Sequence, residues 1–129
     1  MTKRVVVGEL PVGGQEPLIA SAVRWGDLLL LSGRAPIDVT TLQVVATDFE
    51  TQARDVLDTI MASLAEGGSG PEHVLRVLCF LRNASDGKAW NALWAEYFPP
   101  PRPARTTVLG DFVVPGMLIE VEVTAGIPS

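Results

Sequence analysis

Apolar residues recur along this chain in two periods, one helical and one extended. From Phe49 to Glu66 they fall at Phe49, Ala53, Val56, Leu57, Ile60, Met61 and Leu64, the i, i+3/i+4 stripe of an amphipathic helix. Asp48 stands at its N-cap position and Gly67-Gly68 supplies its stop. A second stripe, Trp90, Leu93, Trp94 and Tyr97, predicts a helix that begins at Ser85 or Asp86 and runs to about Phe98. Pro99-Pro100-Pro101 cannot continue it. The clearest extended segment is Met117–Ala125, where Ile119-Glu120-Val121-Glu122-Val123 alternates with period two. Lys3–Val7, Leu75–Leu81 and Thr106–Leu109 also read as strands. Ile19–Arg24 and Leu28–Gly33 flank Gly26-Asp27, a hairpin turn signal, and Leu10–Pro17 reads as a turn-rich loop.

The predicted order is β-β-β-α-β-α-β-β in a single domain over residues 1–129, with no internal repeat and no linker. This is an α+β protein: about six strands in a mixed sheet, with two helices on one face. The helices leave the other face uncovered. Leu28-Leu29-Leu30-Leu31 is apolar on both sides, which suits a strand covered by helices on one side and by something else on the other.

Composition sharpens that point. Apolar residues make up 47% of the chain and charged residues only 19%, against roughly 25% charged in a typical soluble domain. Mean hydropathy is +0.28. A small domain buries only about two-thirds of its unfolded surface, so this surplus needs an outlet. No apolar run approaches the roughly 20 residues of a membrane span, and the run ending at Val7 is too short for a signal peptide. The chain reads as cytoplasmic and oligomeric, its surplus covered by partner subunits.

Ten basic residues against fifteen acidic ones give a net charge of −5. A nucleic-acid partner would call for a basic stripe, and none is visible. Cys79 is the single cysteine and reads as a buried small hydrophobe in a reducing compartment. His73 is the single histidine; beside Pro71 and Glu72 it reads as an exposed residue at a strand start, and no metal site is expected.

Three places could carry chemistry. The segment from Phe98 to Val108 holds four prolines and delivers Arg105 near the start of a strand, where a planar guanidinium suits bidentate capture of a carboxylate. A surface arginine in a salt bridge is the alternative. Glu120 and Glu122 share one strand face, either as a carboxylate pair for acid–base work or as the polar side of a strand. Ser32-Gly33 could line a pocket or make a turn.

Taken together, these segments resemble the Rid family, the RidA-like reactive-intermediate imine and enamine deaminases. The matching pieces are Ala22-Val23 with Gly26-Asp27, Leu31-Ser32-Gly33 followed by Pro36, Phe49 to Arg54 with Val56-Leu57, the helix end from Asn91 to Phe98, Pro103-Ala104-Arg105-Thr106-Thr107-Val108, and Ile119-Glu120-Val121-Glu122. The Pro-Ala-Arg and Ile-Glu-Val-Glu pieces are specific when they occur together. The resemblance implies a chorismate-mutase-like fold assembled as a homotrimer, with ligand clefts between subunits and no cofactor, metal, membrane or nucleic-acid partner. It implies that Arg105 binds the substrate carboxylate, that Glu120 orients the attacking water, and that Ser32, Gly33, Asn91 and Thr107 lie at the pocket. The implied reaction is that of a 2-iminobutanoate/2-iminopropanoate deaminase, hydrolysing a small 2-imino or 2-enamino acid to a 2-keto acid and ammonia. The alternatives are a specialised pathway enzyme of this fold, a non-catalytic trimer that binds small carboxylates and, less favoured by the acidic charge balance, a ribonuclease.

The chain departs from the family pattern in three places. Pro17-Leu18-Ile19-Ala20-Ser21 carries no counterpart of a tyrosine common near the pocket. Thr107 stands where cysteine is frequent, and the connection from Phe98 to Arg105 is short and proline-rich.

Overall fold

Asp48 starts the longest helix as its N-cap: its carboxylate accepts the backbone N–H of Thr51 at 2.9 Å. In the computed structural model, which describes residues 2–14 and 16–129, this helix, α1, spans Phe49–Glu66 and ends at Gly67, as predicted. The second helix, α2, spans Gly87–Tyr97. The strands are β1 (Val5–Leu10), β2 (Ile19–Trp25), β3 (Leu28–Leu31), β4 (Val74–Leu81), β5 (Ala104–Leu109) and β6 (Ile119–Gly126). They form one six-stranded sheet in the order β1-β2-β3-β6-β4-β5. Neighbours are antiparallel except β4 and β5, which run parallel and are connected through α2. The predicted succession and the α+β class both stand, and the fold is chorismate-mutase-like.

Several boundaries move for identifiable reasons. Strand β1 runs on to Leu10 because Gly8 takes φ +76°, after which Glu9 and Leu10 still pair with Ala20 and Ile19. The predicted loop is shortened to match; Gln15 within it lies outside the described residues. The Gly26-Asp27 turn is as expected, with φ +59° at Gly26 and Trp25 paired to Leu28. Strand β3 stops at Leu31, so Ser32 and Gly33 lie beyond it. Asp86 precedes α2 but its side chain makes no capping bond; a turn of 3-10 helix over Ala84–Asp86 leads in instead. Strand β5 begins two residues early, at Ala104, because the parallel register with β4 recruits Ala104 opposite Arg76.

The core lies between the helices and one sheet face. Helix α1 contributes Ala53, Val56, Leu57, Ile60 and Leu64, and α2 contributes Trp90, Leu93 and Trp94. The sheet supplies Leu29, Leu31, Val77, Cys79 and Leu81, with every second residue of β6 from Ile119 to Ala125. Apolar side chains on the opposite face, Leu30 and Val6 among them, remain exposed.

One polar side chain sits inside this core. Gln52 is fully buried; its Nε2 donates to the Ala46 and Gly116 carbonyls at 2.8 and 2.9 Å, and its Oε1 accepts Leu118 N–H at 2.8 Å. It ties the entry to α1 to the loop entering β6. Replacing it with leucine keeps the volume but strands three buried backbone groups. Gln52→Leu is expected to lower unfolding free energy by about 2–4 kcal/mol in urea denaturation. A loss below about 1 kcal/mol would show that those loops find other partners.

Candidate active site

The parallel register of β5 on β4 decides where Arg105 points. Arg105 lies opposite Val77, and Thr107 lies opposite Cys79. Val77 and Cys79 are both buried under the helices, so Arg105 and Thr107 lie on the helix side of the sheet. There Arg105 Nη2 donates to Asn91 Oδ1 at 2.9 Å, and the guanidinium carbon lies 4.9 Å from the centroid of the Trp94 ring. Asn91 and Trp94 stand three apart on α2 and so share one helix face. A neutral amide and an aromatic face thus orient the cation without neutralising it. Among the described residues it forms no ion pair. The Pro-rich connection before it is closed by Arg102, whose Nε donates to the Phe98 carbonyl at 2.8 Å.

Glu120 belongs to the other face. On β6 the residues from Ile119 to Ala125 alternate between burial against the helices and the uncovered side, and Glu120 pairs with Phe80. Its carboxylate lies against Gly33: a Cβ there would meet Glu120 Oε2 at 3.3 Å. Only a glycine leaves the space without displacing it. Burial, and to a lesser degree the neighbouring Glu122 charge, hold the Glu120 carboxyl above the usual carboxylate range. Ser32 completes this group, but its hydroxyl donates to the Ala20 carbonyl at 2.7 Å and so fastens the end of β3 to β2.

The six predicted site residues therefore fall into two groups. Arg105, Asn91 and Thr107 meet at the α2–β5 edge, whereas Ser32, Gly33 and Glu120 meet on the uncovered face. Within one chain β4 separates them, with Arg105 opposite Val77 and Glu120 opposite Phe80.

The sequence profile of the family described as Endoribonuclease L-PSP matches residues 15–127. The chain belongs to this family, the Rid family. It is 36% identical over 123 residues to the 3-aminoacrylate deaminase RutC of Acinetobacter baylyi, covering 94% of this chain and 95% of that one. A RutC family protein of Pyrococcus abyssi is 30% identical over 128 residues, 97% and 98% of the two chains. Among solved structures, the Rid family protein YyfA of Yersinia pestis superposes with a TM-score of 0.85 at 29% identity, covering 97% of this chain and all 100% of that one.

In this Rid protein a cavity of about 520 Å³ opens at Gly33 and Glu120 and extends past Arg34 to Asp55, Thr59 and Ser63 of α1. Arg34 is the most buried charged side chain near it. Its Nη1 donates to the Ser32 carbonyl at 2.8 Å, and its Nη2 donates to Ser21 Oγ and Ser63 Oγ at 2.8 and 2.9 Å. Its backbone exchanges hydrogen bonds with Val121, next to Glu120, at 2.7 and 3.1 Å. Burial pulls its pKa down while the Glu66 charge pushes it up. The side chain and backbone of Arg34 thereby fix the Ser32–Gly33 segment against β6.

Arg34 and Trp94 are the contributors that sequence reasoning missed. Trp94 was legible only as core, although its place three residues after Asn91 put both on one helix face. Arg34 follows Ser32-Gly33 in a loop, where an arginine ordinarily faces water. Among the described residues, no group of three His, Cys, Asp or Glu side chains is placed to hold a metal ion, and no helix is long and apolar enough to cross a membrane.

Cys79, behind Thr107, is buried as expected, and burial pushes its thiol up to about 11. A thiol at that value holds almost no thiolate at neutral pH. A chromogenic disulfide reagent at pH 7.5 is expected to label Cys79 only as fast as the protein unfolds, with full labelling in denaturant. Rapid labelling of the native protein would place the thiol at an accessible surface.

Proposed function

We propose that this protein is a deaminase of small 2-imino and 2-enamino acids, with Arg105 and Glu120 contributed to one cleft by neighbouring subunits. What carries the reading is the separation itself: an unpaired, oriented arginine lies on one face of the sheet and a half-buried carboxylate on the other. The likeness to a 3-aminoacrylate deaminase over nearly the whole chain supports it.

A cleft built from two different surfaces is a heterologous contact, which closes into a ring rather than a two-fold dimer. A homotrimer with the uncovered sheet faces turned inward satisfies that requirement. It also covers the apolar surplus, since Val6, Leu30 and Val108 on that face are each at least 40% exposed in the single chain. The assembly is placed in the cytoplasm.

In the cleft, Arg105 holds the substrate carboxylate through two parallel charge-assisted hydrogen bonds. Asn91 and Trp94 keep the guanidinium plane in place. The protonated imine carbon then faces a water held by Glu120. Glu120 takes one proton from that water as its oxygen bonds to the carbon, and the proton passes to the nitrogen. The carbon–nitrogen bond breaks, ammonia departs, the hydroxyl proton is lost, and the 2-keto acid remains. An enamine first takes a proton on its β-carbon to give the same iminium. The raised pKa of Glu120 suits a group that must both accept and return a proton.

The test generates an imine in situ from an amino acid and follows keto-acid release. Arg105→Ala is expected to lower kcat/KM about 100-fold or more, the loss of two charge-assisted bonds. Arg105→Lys, which keeps the charge without the fork, should fall between. Sedimentation should find a trimer for all three proteins. Unchanged turnover in Arg105→Ala, or a monomeric wild type, would overturn the reading, and salt-sensitive cleavage of RNA would replace it with the ribonuclease alternative.

The sign of the pH dependence follows from Glu120. The base form is required, so turnover falls as pH drops through its pKa, and that limb should lie above the ordinary carboxylate value of about 4.3. Glu122→Gln removes the like charge that raises the pKa. The limb should therefore move to lower pH, with a higher relative rate near pH 5. Because burial is the larger cause the shift is small, and an acid limb at or below the ordinary carboxylate value in the wild type excludes Glu120 as the titrating base.

A further inference from the structure

The cavity that opens at Gly33 and Glu120 is much larger than the reacting atoms of a small imino acid require. Its volume of about 520 Å³ lies in the range, roughly 300–1,000 Å³, that encloses a drug-sized ligand. One water in the liquid takes about 30 Å³. A methyl or ethyl group on the imine carbon would leave most of this space to solvent.

The walls draw on several separate parts of the chain. Ile19 of β2, Ile37 and Val39 of the connection after β3, Thr59 of α1, and Val114 and Met117 of the connection before β6 are among the residues that line it. Three carboxylates, Asp38, Asp55 and Glu120, and one guanidinium, Arg34, lie along it, so its walls carry a negative balance. Arg34 already donates to Ser21, Ser32 and Ser63. The Asp38 carboxylate accepts the backbone N–H groups of Thr40 and Thr41 at 2.8 and 3.0 Å. The carboxylates of Glu120 and Asp55 also line it, and the excess of negative groups disfavours an anionic tip.

We propose that this cavity is the side-chain pocket of the site, selecting 2-imino acids with a bulky uncharged side chain, branched aliphatic or aromatic, over those with one or two carbons. The inference rests on the deaminase reading for the reaction, but on the cavity alone for binding. Each methylene that leaves water for an apolar wall strengthens binding by about fourfold. The three additional carbons of a leucine-type side chain over an alanine-type one therefore give tenfold or more.

The experiment has a binding arm and a turnover arm. In the first, calorimetry compares pyruvate with the keto acids of leucine and phenylalanine on the wild-type protein. In the second, imines made in situ from alanine, leucine and phenylalanine are compared as substrates. The two larger ligands are expected to bind at least tenfold tighter, and their imines to show at least tenfold higher kcat/KM. Two variants fill the pocket from different elements: Thr59→Trp, at an exposed helix position, and Val114→Phe. Each should lower the large-to-small ratio at least fivefold while circular dichroism reports a folded protein. Pyruvate binding as tightly as the larger keto acids, or a ratio unchanged in both folded variants, overturns the proposal. Selective binding of the larger keto acids with no imine turned over upholds the pocket and removes the deaminase reading instead.

Discussion

Strand β6 has two sides that cannot be exchanged. Ile119, Val121, Val123 and Ala125 are buried against α1 and the rest of the core, so the residues between them, Glu120 and Glu122, face the uncovered side. A slip of one residue in register would drive two carboxylates into the core and expose four apolar side chains, at a cost of many kcal/mol. The register with β4 is thereby fixed from Val77↔Val123 to Leu81↔Ile119, and through β4 so is the register of β5. The orientation of Arg105 toward α2 is a consequence of where β6 puts its apolar residues. So is the contact of Glu120 with Gly33.

Buried polar side chains then hold the irregular segments to this frame. Gln52 fastens the loop before β6 to α1, and Arg34 fastens the turn after β3 to β2 and α1. Neither replaces an apolar residue without cost. Arg34 forms no ion pair among the described residues, and its Nε makes no hydrogen bond there. A buried cation in that condition opposes folding, as its depressed pKa reflects. What it supplies is definition: Ser32 and Val121 are held by its atoms, and Glu120 rests against Gly33 between them.

The legible parts of the sequence were those whose signals are local. Helix α1 was readable to the residue because Asp48, the 3.6-period stripe and Gly67 all act within a few positions of its ends. The alternation of β6 was equally plain, and it already placed Glu120 and Glu122 together. Strand β5 was cut short, since nothing local in Ala104-Arg105 favours a strand; its pairing comes from β4, more than twenty residues earlier in the chain. The separation of Arg105 from Glu120 was hidden for the same reason. It depends on strand order, with β6 inserted between β3 and β4, and on one parallel pairing. The family resemblance named the candidate residues, but residue identity alone does not say which face each one occupies.

The separation has an electrostatic consequence. An arginine and a glutamate adjacent in one chain would pair with each other as that chain folds, before any second subunit or ligand arrives. On opposite faces they cannot meet within a chain. Arg105 accordingly bonds a neutral amide and lies over an aromatic ring, and Glu120 has a glycine and a second carboxylate beside it. Among the described residues both stay without an ion pair, and for the half-buried Glu120 this is a standing cost to the isolated chain. Such groups persist where assembly or a ligand makes use of them. Under the proposed deaminase function, the ligand that satisfies both is a small molecule with an anionic end for the guanidinium and an electrophilic carbon for water held by the carboxylate.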